Sequence, residues 1–485
     1  VTLRPVVIEQ FPGLDLRADP GDARGAIDLS DVTLIPGGVR TRDGSSTFYT
    51  PANTPYFLDS FRLATGPQLI VGVAGNPGTF SAVNSAGTVV ASTTAGGLLT
   101  SNGASGLAIG SPSATTYYAV SEGAVIQKWT GAAWSSPAGM PGSPKILALS
   151  PTDNRLVVCD TASKVSFSDP GAPETFGANN FLYLTPGDGE VICGAAVFNN
   201  QLFIFKQTKF FVFYGTSTDS TGTPIFNYRT VAVGLGLHST AAGVPQAVCV
   251  GTDGVYFVAD DGVYRTTGGG PQKISEPIQP FFDATTGPFW QNSNWAPASG
   301  TPSRIAWLGD CLYVSLSKSG VAGRRVFVYN RSLGAWTCWT MGSVAMVAFD
   351  KSSTAGVNDT MMMGLTSNIV VKMDSTLTAD SGTAIVSRYR LPFETYGNPA
   401  EKRIREVIVE GSGAPTIGVT ADWSSTGITK ALTLGTAPAL NDDRMHNAWR
   451  GRAFSIQLSA ASGAWAVNRV QANVADAVRP VSVTI

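Results

Sequence analysis

The chain is poor in charge. Lys, Arg, Asp and Glu make up 14% of its 485 residues and nearly cancel, at a net −1, where soluble domains carry roughly 25%. A near-neutral balance argues against a tight nucleic-acid binder, which needs a basic excess, but not against a conduit that DNA crosses without being gripped. So little charge solubilises a surface poorly, and much of the surface is expected to lie against neighbours. Disorder is excluded as well, because it requires low hydrophobicity and high net charge, and 43% of the residues are hydrophobic. Histidine is scarcer still: only His238 and His446 are present, too few for a histidine-based metal site or a Ser-His-Asp triad. Five cysteines (Cys159, Cys193, Cys249, Cys311 and Cys338) are scattered, odd in number and without CxxC spacing. Most sit in apolar runs such as RLVVC ending at Cys159, and are expected as small buried core residues made in a reducing compartment. No run reaches the ~18 apolar residues of a membrane helix, so no membrane anchor is expected. The first twenty residues, with Arg4, Glu9, Asp15, Arg17 and Asp19, contain no apolar signal-peptide core. Segments with a 3.6-residue apolar period are nearly absent, which predicts an all-β chain.

What is abundant is turn chemistry, with 54 glycines and 29 prolines. Between them lie short apolar strands that recur as loose units. DNRLVVCDTASKVSF (153–167), NNQLFIFKQTKFFVFY (199–214) and DGVYFVADDGVYR (253–265) each open on a turn, run through a strand, turn, and answer with a second strand. That is a β-meander. The units return every ~45 residues, the spacing of propeller blades. Seven are countable, near 56–90, 104–135, 143–176, 189–230, 243–274, 301–340 and 341–375. Six is the second count, because the first and last units are the least regular. The fold predicted is therefore a six- or seven-bladed β-propeller over residues 56–377, seven favoured. After the polar linker DSTLTADSGT the period becomes strictly two, as in TIGVTADW (416–423) and RAFSIQLS (452–459). This predicts a β-sandwich over 384–485, and leaves 1–55 as an extended lead-in joining the propeller.

Few residues promise chemistry. Asp260-Asp261 and Asp442-Asp443 read as turn formers, since a Ca²⁺ site wants more oxygen ligands closely spaced. The triple glycine at 268–270 lacks the Lys-Ser/Thr of a phosphate loop. Glu174, Glu190, Glu276 and Asp283 are the acids from which a glycosidase pair could be drawn, but nothing in the sequence brings two of them together. Trp129, Trp134, Phe176, Trp336 and Trp339 fall near strand ends, where packing is the expected role and sugar stacking the alternative. Met361–Met363 read as blade core. The stretch EPIQPFFDATTGPFWQNSNWAPASGT (276–301) interrupts the meander and holds Phe281, Phe282, Phe289, Trp290 and Trp295. A long aromatic loop suggests a plug or a surface covered by another subunit, and the subunit contact is expected.

The most distinctive stretch is FPGLDLRADPGDARGAIDLSDVTLIPGGVRTRDGSSTF (11–48), in which Arg40 and Arg42 are presented between tight turns. Its Gly13, Leu14, Asp31, Val32, Gly38, Arg40, Arg42 and Gly44 resemble the N-terminal region of the β-propeller tail proteins of bacteriophages, the tail hub or nozzle proteins of short-tailed phages. That family often has Arg-Pro-Gly where this chain has Arg42-Asp43-Gly44. KRIREVIVEGSG (402–413) followed by GRAFSIQLS (451–459) resembles the same family's C-terminal sandwich. The resemblance implies a structural virion protein without enzymatic activity or cofactor, synthesised in the host cytoplasm. It implies a homo-hexameric ring that meets the portal, adaptor or other tail proteins and passes DNA as cargo. Arg40, Arg42, Phe281, Phe282, Phe289, Trp290 and Trp295 are the expected inter-subunit contacts. Two other classes stay open: a carbohydrate-binding or glycan-cleaving propeller of a tail fibre or secreted protein, and a soluble propeller scaffold for peptides. A structural role predicts that the protein releases no reducing sugar from host capsule; release that is lost in an Asp or Glu variant would select the glycan class.

Overall fold

The computed structural model describes residues 4–16, 25–100, 103–109, 116–121, 124–160, 163–218, 220, 224–237, 247–282, 303–317, 324–349, 360–395, 401–422, 427–435 and 441–476. The chain is all-β, built from many small antiparallel sheets, with a short 3-10 turn at Glu276–Phe281.

Six four-stranded sheets follow one another in sequence. They run from Pro55–Leu63 to Val89–Thr94, Ala104–Ile109 to Trp134–Ser135, Pro144–Ser150 to Phe181–Tyr183, Ile192–Phe198 to Pro224–Val233, Val248–Gly251 to Gln272–Lys273, and Arg304–Leu308 to Ala335–Trp339. A seventh is built from Ala345–Phe349, Thr360–Leu365 and Ile369–Asp374, and takes its next strand, Gly44–Tyr49, from near the N-terminus. Within the first six, strands adjacent in sequence are adjacent in space, as a meander requires, and the sheets are propeller-like blades. The first strand of every sheet stands at its end and touches the first strand of the next. Ala345–Phe349 of the seventh returns to touch Pro55–Leu63 of the first.

This stacking explains the continuous apolar runs. A strand covered on one face alternates apolar and polar residues; one covered on both faces cannot. In Gln201–Lys206, Leu202 and Ile204 pack with Val157 and Phe167 of the third sheet, while Phe203 and Phe205 pack with Val255 and Phe257 of the fifth. The three consecutive methionines divide in the same way. Met361 and Met363 face Val326 and Trp339 of the sixth sheet, and Met362 faces Leu69 and Val71 of the first.

Ala379–Asp380 and Thr383–Ala384 extend the seventh sheet beyond Gly44–Tyr49, and the other strands form two sheets with a common core. One orders Val32–Ile35, Gly38–Thr41, Trp465–Asp476, Lys402–Gly413 and Asn441–Gly451, with Arg4–Ile8 also on Trp465–Asp476. The other orders Asp28–Ser30, Ser387–Arg390, Phe454–Ala460, Thr416–Ala421 and Ile428–Ala431. Ile404, Val407 and Val467 of the first sheet join Ile417, Val419, Phe454, Ile456 and Leu458 of the second in one hydrophobic cluster, which extends to Tyr256, Leu312 and Phe327 of the fifth and sixth blades. Trp423 lies outside the described residues. The lead-in of the sequence reading thus supplies strands to both of these sheets and to the seventh blade. Deleting residues 1–50 is expected to abolish cooperative thermal unfolding or leave the chain insoluble, and a truncated chain that melts like the full-length protein would refute that role.

Candidate functional site

The two arginines of the leader part company in the structure. Pro36 and Gly37 (φ +71°) turn the chain between Val32–Ile35 and Gly38–Thr41, and the two arginines follow at alternate positions. Arg40 stays partly exposed and donates to Asp43 at 2.7 Å. Arg42 is buried, with its Nε donating to Asp31 Oδ1 at 2.6 Å and its Nη1 to Asp380 Oδ1 at 2.9 Å. Nη2 also contacts the second Asp380 oxygen, and the guanidinium lies 5.5 Å from the Trp339 ring centre. Asp31 accepts in turn from the Thr340 N–H at 3.1 Å, and Asp380 from Ser45 Oγ at 2.9 Å. Burial alone would lower the Arg42 pKa, but the bonds to Asp380 and the charge of Asp31 outweigh it and hold it above its ordinary value. One side chain therefore ties the leader hairpin to the sixth and seventh sheets.

Arg42, Phe281 and Phe282 were expected against a neighbouring subunit, and the structure corrects this: their own chain covers them. All three are buried. The 3-10 turn at Glu276–Phe281 points Ile278 and Phe281 into the large core, where the Phe281 and Phe327 ring centres are 4.9 Å apart. Phe289, Trp290 and Trp295 lie outside the described residues. Three of the strand-end tryptophans are buried and hydrogen-bonded, Trp129 to Gln68 at 2.7 Å, Trp336 to the Ile274 carbonyl at 2.9 Å and Trp339 to the Val32 carbonyl at 3.3 Å, while Trp134 is half-buried against Trp129 and Phe80. The acids singled out in sequence hold local partners. Glu174 accepts from Tyr118 at 2.8 Å and pairs with Lys128, Glu190 accepts from Thr208, and Asp261 pairs with Lys273 at 2.9 Å. Asp443 pairs with Lys430 at 2.8 Å. Asp283 is outside the described residues, among which no group of three or more His, Cys, Asp or Glu is placed to hold a metal.

A site that the sequence reading missed lies where the first strands converge. They line a cavity of about 380 Å³, open to solvent, with at least one lining residue from each of the seven, among them Asp59, Ser105, Leu147, Ala195, Cys249, Ala306 and Val347. Asp59 is the one charged residue of the lining. Tyr117 Oη of the second sheet donates to Asp59 Oδ2 at 2.6 Å, and the Ser60 N–H donates to Oδ1 at 2.8 Å. Gly106 makes room for this bond, because a Cβ there would stand 1.7 Å from the Tyr117 hydroxyl oxygen. Burial raises the Asp59 pKa, with the Tyr117 and Ser60 bonds pulling partly against it. Burial and the adjacent Asp59 push Tyr117 well above its ordinary value. The sequence did carry a signal, an acid in the middle of the apolar strand PYFLDSFRL.

Neither the models of known protein families nor the curated proteins include a match to this chain.

Three outcomes follow from the geometry. Arg42→Ala leaves two carboxylates without their cation and is expected to cost about 3 kcal/mol in urea unfolding, whereas Arg40→Ala, at a surface pair, costs under about 1 kcal/mol. Gly106→Ala displaces Tyr117 from Asp59 and is expected to cost about 1–3 kcal/mol. For Asp59, the folded state holds the proton more tightly than the unfolded chain, whose carboxyl titrates near 3.8. Its contribution to stability is full below that pH and is lost as pH rises through the raised value. Asp59→Asn is therefore expected to raise Tm relative to wild type more at pH 7 than at pH 4 in buffer free of divalent cations; an equal effect at both would exclude this titration.

Proposed function

We propose that this chain is a structural protein of a phage tail, a seven-bladed β-propeller with a C-terminal β-sandwich, which assembles with copies of itself into a ring. The seven-bladed reading is supported by the cyclic contact of the first strands, the cavity they surround, and the use of Gly44–Tyr49 to complete the seventh sheet. The sandwich reading is supported by the common core of the two remaining sheets.

The observation that carries the functional reading is the leader. The stretch that resembles phage tail hub and nozzle proteins is also the stretch that ties the C-terminal sheets to the blades, through Arg42 and through strands in three sheets. Such a tie suits a part that must transmit load without its domains turning on each other. The second resembling segment, KRIREVIVEGSG, is a twelve-residue strand paired on both sides. Packing of Trp129, Trp336 and Trp339 within the chain favours this reading over the sugar-binding alternative, which would use such rings as an exposed platform.

In this reading DNA crosses a lumen formed between copies. The cavity within one chain, about 380 Å³, is far too small to admit a duplex. Contacts between copies fall on faces that the chain leaves apolar. The outer hairpin of the fourth sheet is the clearest, with Tyr214 54%, Ile225 45% and Val233 80% exposed, which a low-charge surface does not offset. A hexameric ring with the portal, adaptor or other tail proteins as neighbours is the assembly expected. Light scattering after size exclusion, with negative-stain images, tests it: a ring of several copies is expected, and Ile225→Asp with Val233→Asp should lower its mass while leaving the circular dichroism spectrum unchanged. A protein that stays monomeric at high concentration would overturn the ring.

A further inference from the structure

We propose that consecutive copies of this chain join edge to edge, the outer strand of the fourth sheet (Pro224–Val233) of one copy pairing with the outer strand of the first sheet (Val89–Thr94) of the next. This rests on the ring reading above and names the two surfaces that close it. A sheet edge presents a row of backbone N–H and C=O groups, a template for another strand, and proteins blunt such edges by keeping them short, covering them, or placing lysine or proline on them. Five of the seven sheets do so here. The outermost strands of the second, third and fifth sheets, Trp134–Ser135, Phe181–Tyr183 and Gln272–Lys273, are two or three residues long. That of the sixth, Ala335–Trp339, lies under the leader, whose Leu14 and Asp31 N–H groups donate to the Trp336 and Cys338 carbonyls at 2.8 and 2.9 Å. The seventh ends on the two-residue strand Thr383–Ala384.

The first and fourth sheets are the exceptions. Pro224–Val233 is ten residues long and Val89–Thr94 six. Each stands at the end of its sheet, and among the described residues no strand is paired to its far side. Neither edge is guarded. Val89–Thr94 has no charged residue, and Arg229, the one charge of Pro224–Val233, donates through Nη2 to the Gly268 carbonyl of its own chain at 2.8 Å. The one proline is the first residue of its strand. Val231 and Val90 are extra residues in their ladders, which leaves Pro224–Thr230 and Ala91–Thr94 as unbroken runs.

Geometry and size choose the occupant. Two different edges on one chain make a head-to-tail contact, which can close into a ring, whereas one self-complementary edge stops at a dimer. The first and fourth sheets are three steps apart in the order of seven, nearly opposite one another, so each copy is held by neighbours on two sides. A six-residue edge is about 20 Å long and one sheet layer about 10 Å thick, so the strands alone bury about 200 Å² per partner, against the roughly 800 Å² of a stable complex. One such contact holds two chains only at high concentration; a closed ring, in which every copy is held twice, persists at lower ones.

Two double variants test the pairing. Val90→Lys with Thr94→Lys guards the first edge, and Ile225→Lys with Thr230→Lys the fourth; all four residues are exposed, so circular dichroism and Tm are expected to match wild type. Each variant alone should lose the ring, its half-assembly concentration raised about tenfold or more by charges left unpaired at the contact. Mixed one to one at high concentration, each variant supplies the edge that the other lacks, and the mixture should give a species of twice the chain mass that neither gives alone. If wild type forms a ring and either variant forms it equally well, or the mixture gives no such species, the edge pairing is overturned while the ring reading stands. If wild type stays monomeric at high concentration, the ring reading falls and the pairing with it. Should a variant fail to fold, hydrogen exchange on wild type decides: amides of 91–94 and 225–230 are expected to exchange about tenfold or more faster after dilution to single chains than in the assembly, and equal exchange in both overturns the pairing.

Discussion

Arg42 sits where three parts of the molecule that are remote in sequence come together. Its partners, Asp31 and Asp380, are separated by most of the chain, and the indole it faces, Trp339, belongs to a third sheet. Burying such an ion pair costs desolvation that its own attraction only partly returns, so its net effect on stability is small. What it fixes is register. Asp31 is held at φ +54°, and two residues after Arg42, Gly44 passes the Ala379 carbonyl so closely that a Cβ would lie 2.4 Å from it. If the leader slipped by one residue, every side chain would change face and both carboxylates would lose their cation. The seventh sheet, completed by the strand that starts at Gly44, depends on that register being the one adopted.

The blades themselves were legible because their cause is local. A turn, a strand of about six residues buried on both faces, and another turn leave a signature readable over a dozen residues. The units inferred near 104–135 and 301–340 fall on sheets spanning Ala104–Ser135 and Arg304–Trp339. Of the two least regular units, the last has a non-local component. The seventh sheet borrows Gly44–Tyr49, whose partner strand Ile369–Asp374 lies at the far end of the blade region, and no periodicity can announce a pairing across that distance. The same limit applies to the leader. Its short alternating runs read as strands, but only the fold reveals that their partners are Ser387–Arg390 and Trp465–Asp476.

Side-chain roles were less legible than strands, for a related reason. An arginine between turns looks exposed, and Arg40 is partly so; Arg42 is buried because two distant carboxylates arrive to meet it. Phe281 and Phe282 looked like loop aromatics needing a partner chain, but Ser275 and Pro277 start a 3-10 turn that points Ile278 and Phe281 inward. The pairing of Asp59 with Tyr117 was invisible in the same way, since nothing in either strand declares the other. Gly106 marks the place, but as one of 54 glycines it carries no signal alone.

The polar ties and the leader act on the same degree of freedom. Stacked sheets held only by apolar side chains can slide, because hydrophobic contact is non-directional. Between the first and second sheets two hydrogen bonds oppose sliding, Tyr117 to Asp59 and the buried bond of Trp129 to Gln68, beside the Phe61 and Tyr117 rings 5.4 Å apart. Between the sixth and seventh, Arg42 spans the boundary directly, and Arg304 reaches across it to the Val344 carbonyl at 2.8 Å. Directional bonds at these boundaries give each blade one rotation relative to the next. Sheets tied in this way resist sliding at those two boundaries, where apolar contact alone would leave it unopposed.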